Sequence, residues 1–334
     1  MHSVKTMEES SKKPILQLED ISKTYSSKAS FFGDTGKEVI ALNHISLKIF
    51  KGEIFGLIGE SGSGKTTAGR LIVKLEEPAA GRIFLDDSEI TRFKGKALKD
   101  FRLKVQMIFQ DPYQSLNPQV SIYDTVSEPL LIHKIDNVQA RKHLVLQTLK
   151  SVGLSPPDDF LHRYPHQLSG GQRQRVAIAR VMVLKPQFVI ADEPTSMLDA
   201  SISAQIFNIL LEMREKLDVT LLFISHSLAA ARYLCDRIAV IYRGNLVEIG
   251  RGEEVIQKPK HPYTQALLDA IPKFGHWDEV ESYNTFLKAE RDTSQGVGCP
   301  FFSRCKVAHQ ERCSQERPHL RKSDNSHSVA CFYA

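Results

Sequence analysis

The glycine-rich segment at residues 59–66 constrains the fold of this sequence more than any other feature. It reads Gly-Glu-Ser-Gly-Ser-Gly-Lys-Thr and fits the phosphate-loop pattern G-x-x-x-x-G-K-[ST]. The apolar run at 53–58 predicts a strand before it, and the helical spacing of apolar residues at 66–75 predicts a helix after it. In this setting, backbone N–H groups at the helix N-terminus bind phosphates. The segment therefore predicts a nucleotide-binding α/β domain rather than a flexible Gly/Ser turn.

Two side chains of this loop have the chemistry that a nucleotide and its magnesium ion require. Lys65 is expected to neutralise the outer phosphates, and Thr66 is expected to ligate Mg²⁺ through its hydroxyl group. The expected contacts to ATP from this segment are Gly59, Ser61, Gly62, Gly64, Lys65, Thr66 and Thr67.

A pair of adjacent carboxylates, Asp192 and Glu193, follows the apolar run 188–191, which predicts another strand. We expect Asp192 to orient the magnesium shell and Glu193 to polarise the attacking water, because phosphoryl transfer depends mainly on positioning and charge stabilisation. In isolation such a pair is an ordinary acidic loop. Beside a phosphate loop, the catalytic interpretation is favoured.

The segment Leu-Ser-Gly-Gly-Gln at 168–172 predicts a second anion site, because its serine and glycines open a predicted helix. With this segment the chain resembles the nucleotide-binding subunits of the ABC type, over residues 16–250. The resemblance implies that two subunits pack head to tail. The signature of each subunit then closes on the γ-phosphate held by the other, through Ser169, Gly170, Gly171 and Gln172.

The same resemblance implies roles for four more side chains. Tyr25 matches the aromatic residue that stacks on adenine, and Gln110 matches the glutamine that reaches Mg²⁺ and water and senses a transmembrane partner. Asp199 lies in the segment that touches the opposing subunit, where Met197 replaces the usual alanine. His226 matches the histidine that contacts the γ-phosphate and holds the catalytic glutamate. The implied catalytic residues are Glu193, His226 and Gln110, and the implied magnesium ligands are Thr66, Gln110 and Asp192.

The order of predicted strands and helices favours an α/β fold with a parallel sheet and crossover helices. Strands at 15–18 and 39–49 are expected to be antiparallel, and a hairpin at 238–249 is expected to close the core. The resemblance implies a P-loop NTPase domain with a RecA-like core, an antiparallel β subdomain and a helical insertion at about 112–183. The expected division is a disordered start at 1–14, an ATPase domain at 15–255 and a small C-terminal extension at 256–334.

The C-terminal extension contains four of the five cysteines: Cys299, Cys305, Cys313 and Cys331. Their spacing lacks the C-x₂-C knuckle of most structural zinc sites, although four thiolates can still bind a soft metal. A disulfide framework is disfavoured in a reducing compartment. The resemblance implies a four-iron four-sulfur cluster, with zinc or no metal as open alternatives. His327 is a candidate substitute ligand, and a surface position is the simpler expectation for it.

Three stretches resemble the ATPase subunits of oligopeptide and dipeptide importers: residues 110–118, residues 164–167 and the tail at 261–268 with 298–305. The long loop at 26–37 favours the second of the two ATPase subunits of such importers. The resemblance implies ATP-driven peptide import, with a second ATPase subunit, two transmembrane permease subunits and an external substrate-binding protein as partners. It places the chain at the cytoplasmic face of the membrane.

Composition narrows the remaining alternatives. The 334 residues are 42% hydrophobic and 25% charged, as in globular proteins, and a net charge of +5 without a basic run gives no indication of nucleic-acid binding. The polar start has no signal peptide, and the apolar runs are far shorter than the ~20 residues of a membrane helix. A soluble ABC ATPase of DNA repair or translation would need heptad or zinc insertions or a second cassette. Nickel or glutathione remains an alternative cargo, because nothing in this sequence contacts the cargo.

Overall fold

The computed structural model describes residues 13–26, 38–135, 137–270, 297–324 and 326–334. Residues 1–12 of the expected disordered start and residues 27–37 of the expected loop lie outside this described part.

Twelve strands in the described ranges form two sheets. The strands are β1 (Pro14–Ser26), β2 (Glu38–Phe50), β3 (Ile54–Ile58), β4 (Ala80–Leu85), β5 (Ser88–Glu89), β6 (Val105–Ile108), β7 (Phe188–Asp192), β8 (Thr220–Ser225), β9 (Arg237–Tyr242), β10 (Asn245–Arg251), β11 (Arg321–Lys322) and β12 (Ser328–Val329).

Helices cover the larger sheet, and those that lie between β6 and β7 in the sequence form a separate layer. The helices are α1 (Lys65–Ile72), α2 (Gly95–Lys104), α3 (Pro112–Ser115), α4 (Ile122–Ile132), α5 (Val138–Ser151), α6 (Asp158–Leu161), α7 (Gly170–Met182), α8 (Ala200–Leu217), α9 (Leu228–Leu234), α10 (Gly252–Gln257), α11 (Pro262–Asp269) and α12 (Gln310–Cys313). In the described ranges, no helix is both long enough and apolar enough to span a bilayer.

The larger sheet has the strand order β11-β12-β10-β9-β3-β8-β7-β6, and its strands from β9 to β6 run parallel. Every residue of β3, β7 and β8 is buried, as expected for parallel strands covered by packing on both faces. Because these strands are parallel, their carboxyl ends meet at one edge. The phosphate loop, the acidic pair and His226 follow three of these ends, so the topology brings them together.

The smaller sheet is antiparallel, with the order β2-β1-β4-β5, which confirms the predicted antiparallel subdomain. Strands β1 and β2 each have 13 residues and are longer than predicted. Strands β4 and β5 and helix α2 were not predicted. The core between this sheet and the parallel sheet includes Leu16, Ile45, Phe55 and Ile190.

The helical insertion consists of α3 to α7, which confirms the helical prediction for this region. The insertion and the adjoining face of the sheet share a second core, with buried residues such as Val126, Leu149, Val176 and Ile206. Helix α7 packs against α3, α4 and α5. The signature segment at the start of α7 is therefore held by the insertion as a unit.

The described part of the C-terminal extension packs on the ATPase sheet. Strands β9 and β10 form the predicted hairpin, and β12 then pairs with β10 at the sheet edge. Tyr263 and Phe301 share a third core with Tyr242 of β9 and Val255 of α10. Residue 255 thus lies within a helix, and the domain boundary there stays a prediction.

The surface position expected for His327 is wrong. The pairing of β12 with β10 carries His327 over Glu248, and both side chains are buried. Nε2 of His327 lies 2.7 Å from Oε1 of Glu248, whose carboxylate also accepts hydrogen bonds from the N–H groups of Lys260 and His261. This histidine therefore fastens the chain end to the sheet.

Candidate nucleotide-binding site

The phosphate loop joins β3 to α1 and leaves the start of α1 open. Gly62 and Gly64 have φ values of +77° and +104°, a left-handed conformation that favours glycine. A Cβ atom at Gly64 would lie 2.3 Å from the carbonyl oxygen of Ala41, so no side chain fits there. No side chain caps α1, and its first N–H groups remain available to an anion.

Lys65 is buried at the first position of α1, with its ammonium group turned into the loop. Its Nζ donates to the carbonyl oxygens of Gly59 and Glu60, both at 2.8 Å, and lies 3.8 Å from Oε1 of Glu193. Burial lowers the pKa of Lys65, while the nearby carboxylates raise it. A positive charge is thus held where the sequence places the phosphates of a nucleotide.

Thr66 and Asp192 form a pair of oxygen donors beside Lys65. The Thr66 hydroxyl donates to Oδ1 of Asp192 at 3.2 Å. Asp192 is 2% exposed, and this burial raises the pKa of its carboxyl group to about 6. Magnesium prefers hard oxygen ligands and commonly uses only one or two carboxylates. The donor set therefore fits the magnesium ion that the sequence predicts.

Glu193 is the point at which the predicted catalytic side chains converge. Its Oε2 accepts a hydrogen bond from Nε2 of Gln110 at 3.2 Å and lies 3.3 Å from Nδ1 of His226. The hydrogen bond with His226 lowers the pKa of Glu193 and raises that of His226. The pairing therefore favours the charged form of each group more than in the unpaired side chain.

The backbone of Glu193 is also strained. Its φ is +43°, a left-handed value uncommon for a residue other than glycine, and its N–H donates to the carbonyl oxygen of Ile224 at 2.9 Å. Such strain concentrates at functional sites, where the surrounding structure enforces it. The bond to the end of β8 fixes Glu193 next to His226.

Tyr25 lies at the end of β1, close to α1. Its hydroxyl donates to Oε2 of Glu76 and also interacts with the Thr67 hydroxyl, while the side chain remains partly exposed. Burial and the hydrogen bond to Glu76 raise the pKa of Tyr25. The ring thus stands at the edge of the phosphate-loop helix, and adenine stacking stays a prediction.

The signature segment begins α7 with a reciprocal cap. Oγ of Ser169 accepts from the N–H of Gln172 at 3.3 Å, and the Gln172 side chain accepts from the N–H of Ser169 at 3.0 Å. Ser169 is exposed, and the N–H groups of Gly170 and Gly171 have no role in this cap. Both segments are fully described, and no hydrogen bond or ion pair joins 168–172 to 59–66.

Two residues of this region have a local structural role in addition to their predicted one. A Cβ atom at Gly171 would lie 2.7 Å from Cγ2 of Ile202, so the missing side chain lets α7 approach α8. Asp199 caps α8 by accepting from the N–H of Ile202 at 2.9 Å and is exposed. Asp199 does not join the hydrogen bonds around Glu193, and its contact with an opposing subunit stays a prediction.

Sequence reasoning missed the surroundings of Glu60, the second residue of the phosphate loop. Its carboxylate pairs with both terminal nitrogens of Arg304 at 3.0 Å, and its N–H donates to the Tyr263 hydroxyl at 2.9 Å. An acidic residue inside a loop that binds anions indicates that a cation lies nearby to neutralise its carboxylate. That cation stands 244 positions away in the sequence, where no local pattern could identify it.

The four cysteines of the extension line one cavity of about 20 Å³, together with Phe301 and Phe332. The N–H of Cys299 donates to the carbonyl oxygen of Cys313 at 2.8 Å. Burial raises the pKa of Cys299 to about 11, and the other three thiols add to the shift. Within the described residues, no group of three or more His, Cys, Asp or Glu side chains is arranged to hold a metal ion.

Two family descriptions match this chain. Residues 42–196 match the family described as "ABC transporter", and residues 247–313 match "Oligopeptide/dipeptide transporter, C-terminal region". The two matches together cover the phosphate loop, the acidic pair, the signature and most of the extension. Tyr25, His226 and Cys331 lie outside both matched ranges.

Curated relatives are similar over nearly the whole chain. The oligopeptide transport ATP-binding protein AppF of Bacillus subtilis (strain 168) is 39% identical over 320 residues, which cover 95% of this chain and 96% of the relative. The oligopeptide transport ATP-binding protein OppF of Streptococcus mutans serotype c is 45% identical over 263 residues, covering 78% and 83%.

Solved structures are similar to most of the chain. A dimeric post-hydrolysis state of the ATP-binding cassette MJ0796 bound to ADP and Pi superposes with a TM-score of 0.62 at 29% identity, covering 71% of this chain and 98% of that one. The cbiO1 protein of Clostridium perfringens, part of the ABC transporter complex cbiONQ, has the same TM-score at 28% identity and covers 73% and 91%.

Proposed function

This chain belongs to the ABC transporter family of ATP-binding proteins, and we propose that it hydrolyses ATP to energise the import of di- or oligopeptides across the cytoplasmic membrane. The family match and the relatives support ATP hydrolysis. The C-terminal match at 247–313 and the oligopeptide names of both relatives support the cargo.

The observation that carries the catalytic proposal is the convergence on the Glu193 carboxylate. Lys65 of α1, Gln110 of the loop after β6 and His226 of the loop after β8 reach this group, at 3.8, 3.2 and 3.3 Å. A structural acidic loop needs only one such partner. A carboxylate kept ionised by a histidine beside a phosphate loop suits the alignment of a water molecule.

The proposed roles follow from the position of each side chain. Lys65 and the open N–H groups of α1 would bind the outer phosphates, and Asp192 with Thr66 would hold the magnesium ion. That ion supplies charge neutralisation along the phosphates when it is bound. Gln110 orients the water for Glu193, and His226 holds Glu193 in place and contacts the γ-phosphate.

We propose that the site is completed by a second ATPase subunit that packs head to tail with this chain. The support is the exposure of Ser169 and the absence of a hydrogen bond or ion pair between residues 168–172 and the chain's own phosphate loop at 59–66, both of which are fully described. The further partners proposed are two transmembrane permease subunits and an external substrate-binding protein. The chain would then act at the cytoplasmic face of the membrane, with its ATPase domain at 15–255 and its extension at 256–334.

We also propose a soft-metal site at the four cysteines, with a four-iron four-sulfur cluster as its occupant. Four sulfur donors around one cavity fit the ligand count of such a cluster. The donors as they stand do not fit it in arrangement, since a cavity of about 20 Å³ holds about one water and burial raises the pKa of the Cys299 and Cys305 thiols. Binding would therefore require deprotonation and reorientation of these side chains.

The catalytic proposal is tested by Glu193→Gln and Lys65→Ala in the full-length chain. Glu193→Gln should lower ATP turnover by about 10²–10⁴-fold with ATP affinity unchanged, because the water loses its base while the phosphate contacts remain. Lys65→Ala should lose ATP affinity as well. The matched control is Glu212→Gln, an exposed carboxylate of α8 that pairs with Lys216. Unchanged turnover in Glu193→Gln would refute the assignment.

The assembly is tested by purification of the tagged chain from membranes. Recovery of two permease subunits and a second ATPase subunit supports the proposal. Isolation as a lone soluble ATPase with nucleic acid attached contradicts it.

The metal site is tested by anaerobic purification with iron, sulfide and zinc analysis. A brown protein with broad visible absorption and four iron atoms per chain supports the cluster. A colourless protein with stoichiometric zinc contradicts it, and so does a sample without metal.

A further inference from the structure

The C-terminal extension touches the nucleotide site at one residue of the phosphate loop. Glu60 and Arg304 form a bidentate ion pair, with both N–O distances at 3.0 Å. Arg304 is 8% exposed, and the Glu60 side chain is 21% exposed. A planar, well-desolvated pair of this kind fixes orientation more tightly than a surface ion pair.

Arg304 is itself held by rings of the third core, in which Tyr242, Tyr263 and Phe301 form a cluster that we call the aromatic unit. Its guanidinium lies 5.6 Å from the ring centroid of Tyr242 and 5.8 Å from that of Phe301, and it donates to the Tyr242 hydroxyl at 3.3 Å. Tyr263 packs against the same two rings, with centroid distances of 4.6 and 5.4 Å. The two residues that touch Glu60 therefore belong to one rigid unit.

Glu60 connects this aromatic unit to the lysine that faces the phosphates. Its N–H donates to the Tyr263 hydroxyl, its carboxylate binds Arg304, and its carbonyl oxygen accepts from Nζ of Lys65 at 2.8 Å. Both the backbone and the side chain of one loop residue are thus fixed by the extension. The arrangement also neutralises a carboxylate inside a loop that must accept a polyanion.

We propose that Arg304 and Tyr263 are positioning residues for the phosphate loop, so that the C-terminal extension sets the affinity of the site for MgATP through Glu60. The inference rests on the proposed function, because it requires the loop to bind ATP. Loss of Arg304 leaves the Glu60 carboxylate uncompensated beside the phosphates and frees the loop backbone. Both effects weaken binding of the nucleotide before they affect the hydrolysis step.

The test is equilibrium binding of a fluorescent ATP analogue with Mg²⁺ to the full-length chain, together with kcat and KM for ATP. Arg304→Ala should raise Kd and KM by about tenfold and change kcat by less than about threefold. Lys306→Ala is the matched control, since it removes an exposed cation two positions away, and its Kd should stay within about twofold. An unchanged Kd in Arg304→Ala overturns the proposal.

A second variant separates loop positioning from simple docking of the extension. Glu60→Gln combined with Arg304→Ala should bind the analogue more tightly than Arg304→Ala alone, because the uncompensated charge has gone. Equal weakening in Glu60→Gln, Arg304→Ala and the double variant would indicate docking alone and overturn the proposal. Tyr263→Phe keeps the ring and should raise Kd by about two- to threefold.

Lys65→Ala distinguishes this inference from the proposed function. If Lys65→Ala leaves the Kd unchanged, the proposed ATP site itself is wrong. If Lys65→Ala abolishes binding while Arg304→Ala does not change it, only the role of the extension is wrong.

Discussion

The phosphate-loop site and the cysteine cavity contrast in the way their reactive side chains are satisfied. At the phosphate loop, the Glu193 carboxylate is already paired with both Lys65 and His226. At the cavity, the thiols face aromatic rings, and burial raises the pKa of Cys299 to about 11. The first region has the charged groups that a polyanion needs, whereas in the second burial opposes the ionisation of Cys299 and Cys305.

The cysteine cavity and the phosphate loop are also connected through shared packing. The cavity shares Phe301 with the aromatic unit that holds Arg304, and Arg304 binds the phosphate loop. Changes at the nucleotide site should therefore affect activity with little effect on stability. Changes around the cavity should affect stability first and ATP binding second.

The largest expected effect belongs to the nucleotide site. His226→Ala should lower turnover by about 10²–10³-fold, because Glu193 loses the group that orients it and keeps it ionised. The melting temperature should stay within about 2 °C, since the His226 side chain is more than half exposed. Steady-state kinetics and thermal unfolding measure both values. His143→Ala, an exposed histidine of α5, is the control, and a stability loss without a turnover loss would break the comparison.

The next effect belongs to the rim of the cavity. Phe301→Ala should reduce the free energy of unfolding by about 3–5 kcal/mol, because it removes a buried ring that packs on Tyr242 and Tyr263. Denaturant unfolding of the full chain measures the loss, with the neighbouring and less buried Phe302→Ala as control. A loss below about 1 kcal/mol would show that the extension does not share the core of the ATPase sheet.

The smallest effect concerns pH. The pKa of His226 is raised, so its pairing with Glu193 stabilises the folded chain fully at pH values below the pKa of histidine in the unfolded chain. This stabilisation is lost as the pH rises through the pKa of His226 in the folded chain. The lowered pKa of Glu193 keeps the pairing intact down to acidic pH. The stability difference between the native chain and His226→Gln should thus be at most about 1 kcal/mol at pH values below the ordinary histidine pKa, and it should shrink as the pH rises.

The cavity supplies the contrast for this pH series. Cys299→Ser should show no change in its stability difference between pH 6 and pH 8, because the pKa of Cys299 is raised to about 11. Denaturant unfolding at each pH checks both variants. A pH-dependent difference in Cys299→Ser over this range would mean that the thiol is ionised in the folded chain.

Much of the nucleotide site followed from local sequence, because phosphate chemistry requires fixed residue types at strand ends. The loop at 59–66, the acidic pair and His226 lie together at one edge of the sheet, since parallel strands bring their carboxyl ends to the same edge. Local spacing could not reveal the contact of Arg304 with Glu60, which depends on tertiary packing across 244 positions.

Short elements explain the other differences. Strand β12 has only two residues, too few to show an alternating pattern, so the burial of His327 was not foreseen. The sequence of β4 shows no clear apolar alternation because its more exposed face includes the apolar Ala80 and Phe84, while its more buried face begins with Gly81. The number of cysteines in the extension indicates candidate metal ligands. Their arrangement in space depends on loops whose sequence has no helical or strand periodicity.

The central proposal is that one chain carries parts of two nucleotide sites and completes neither alone. Its most direct test is Ser169→Arg in the assembled transporter, with Ser121→Arg, which alters the comparable cap of α4, as control. The account predicts that Ser169→Arg lowers ATP turnover by about 100-fold or more while MgATP affinity of the isolated chain stays within about threefold. Unchanged turnover, or a loss of affinity in the isolated chain as large as the loss of turnover, would contradict it.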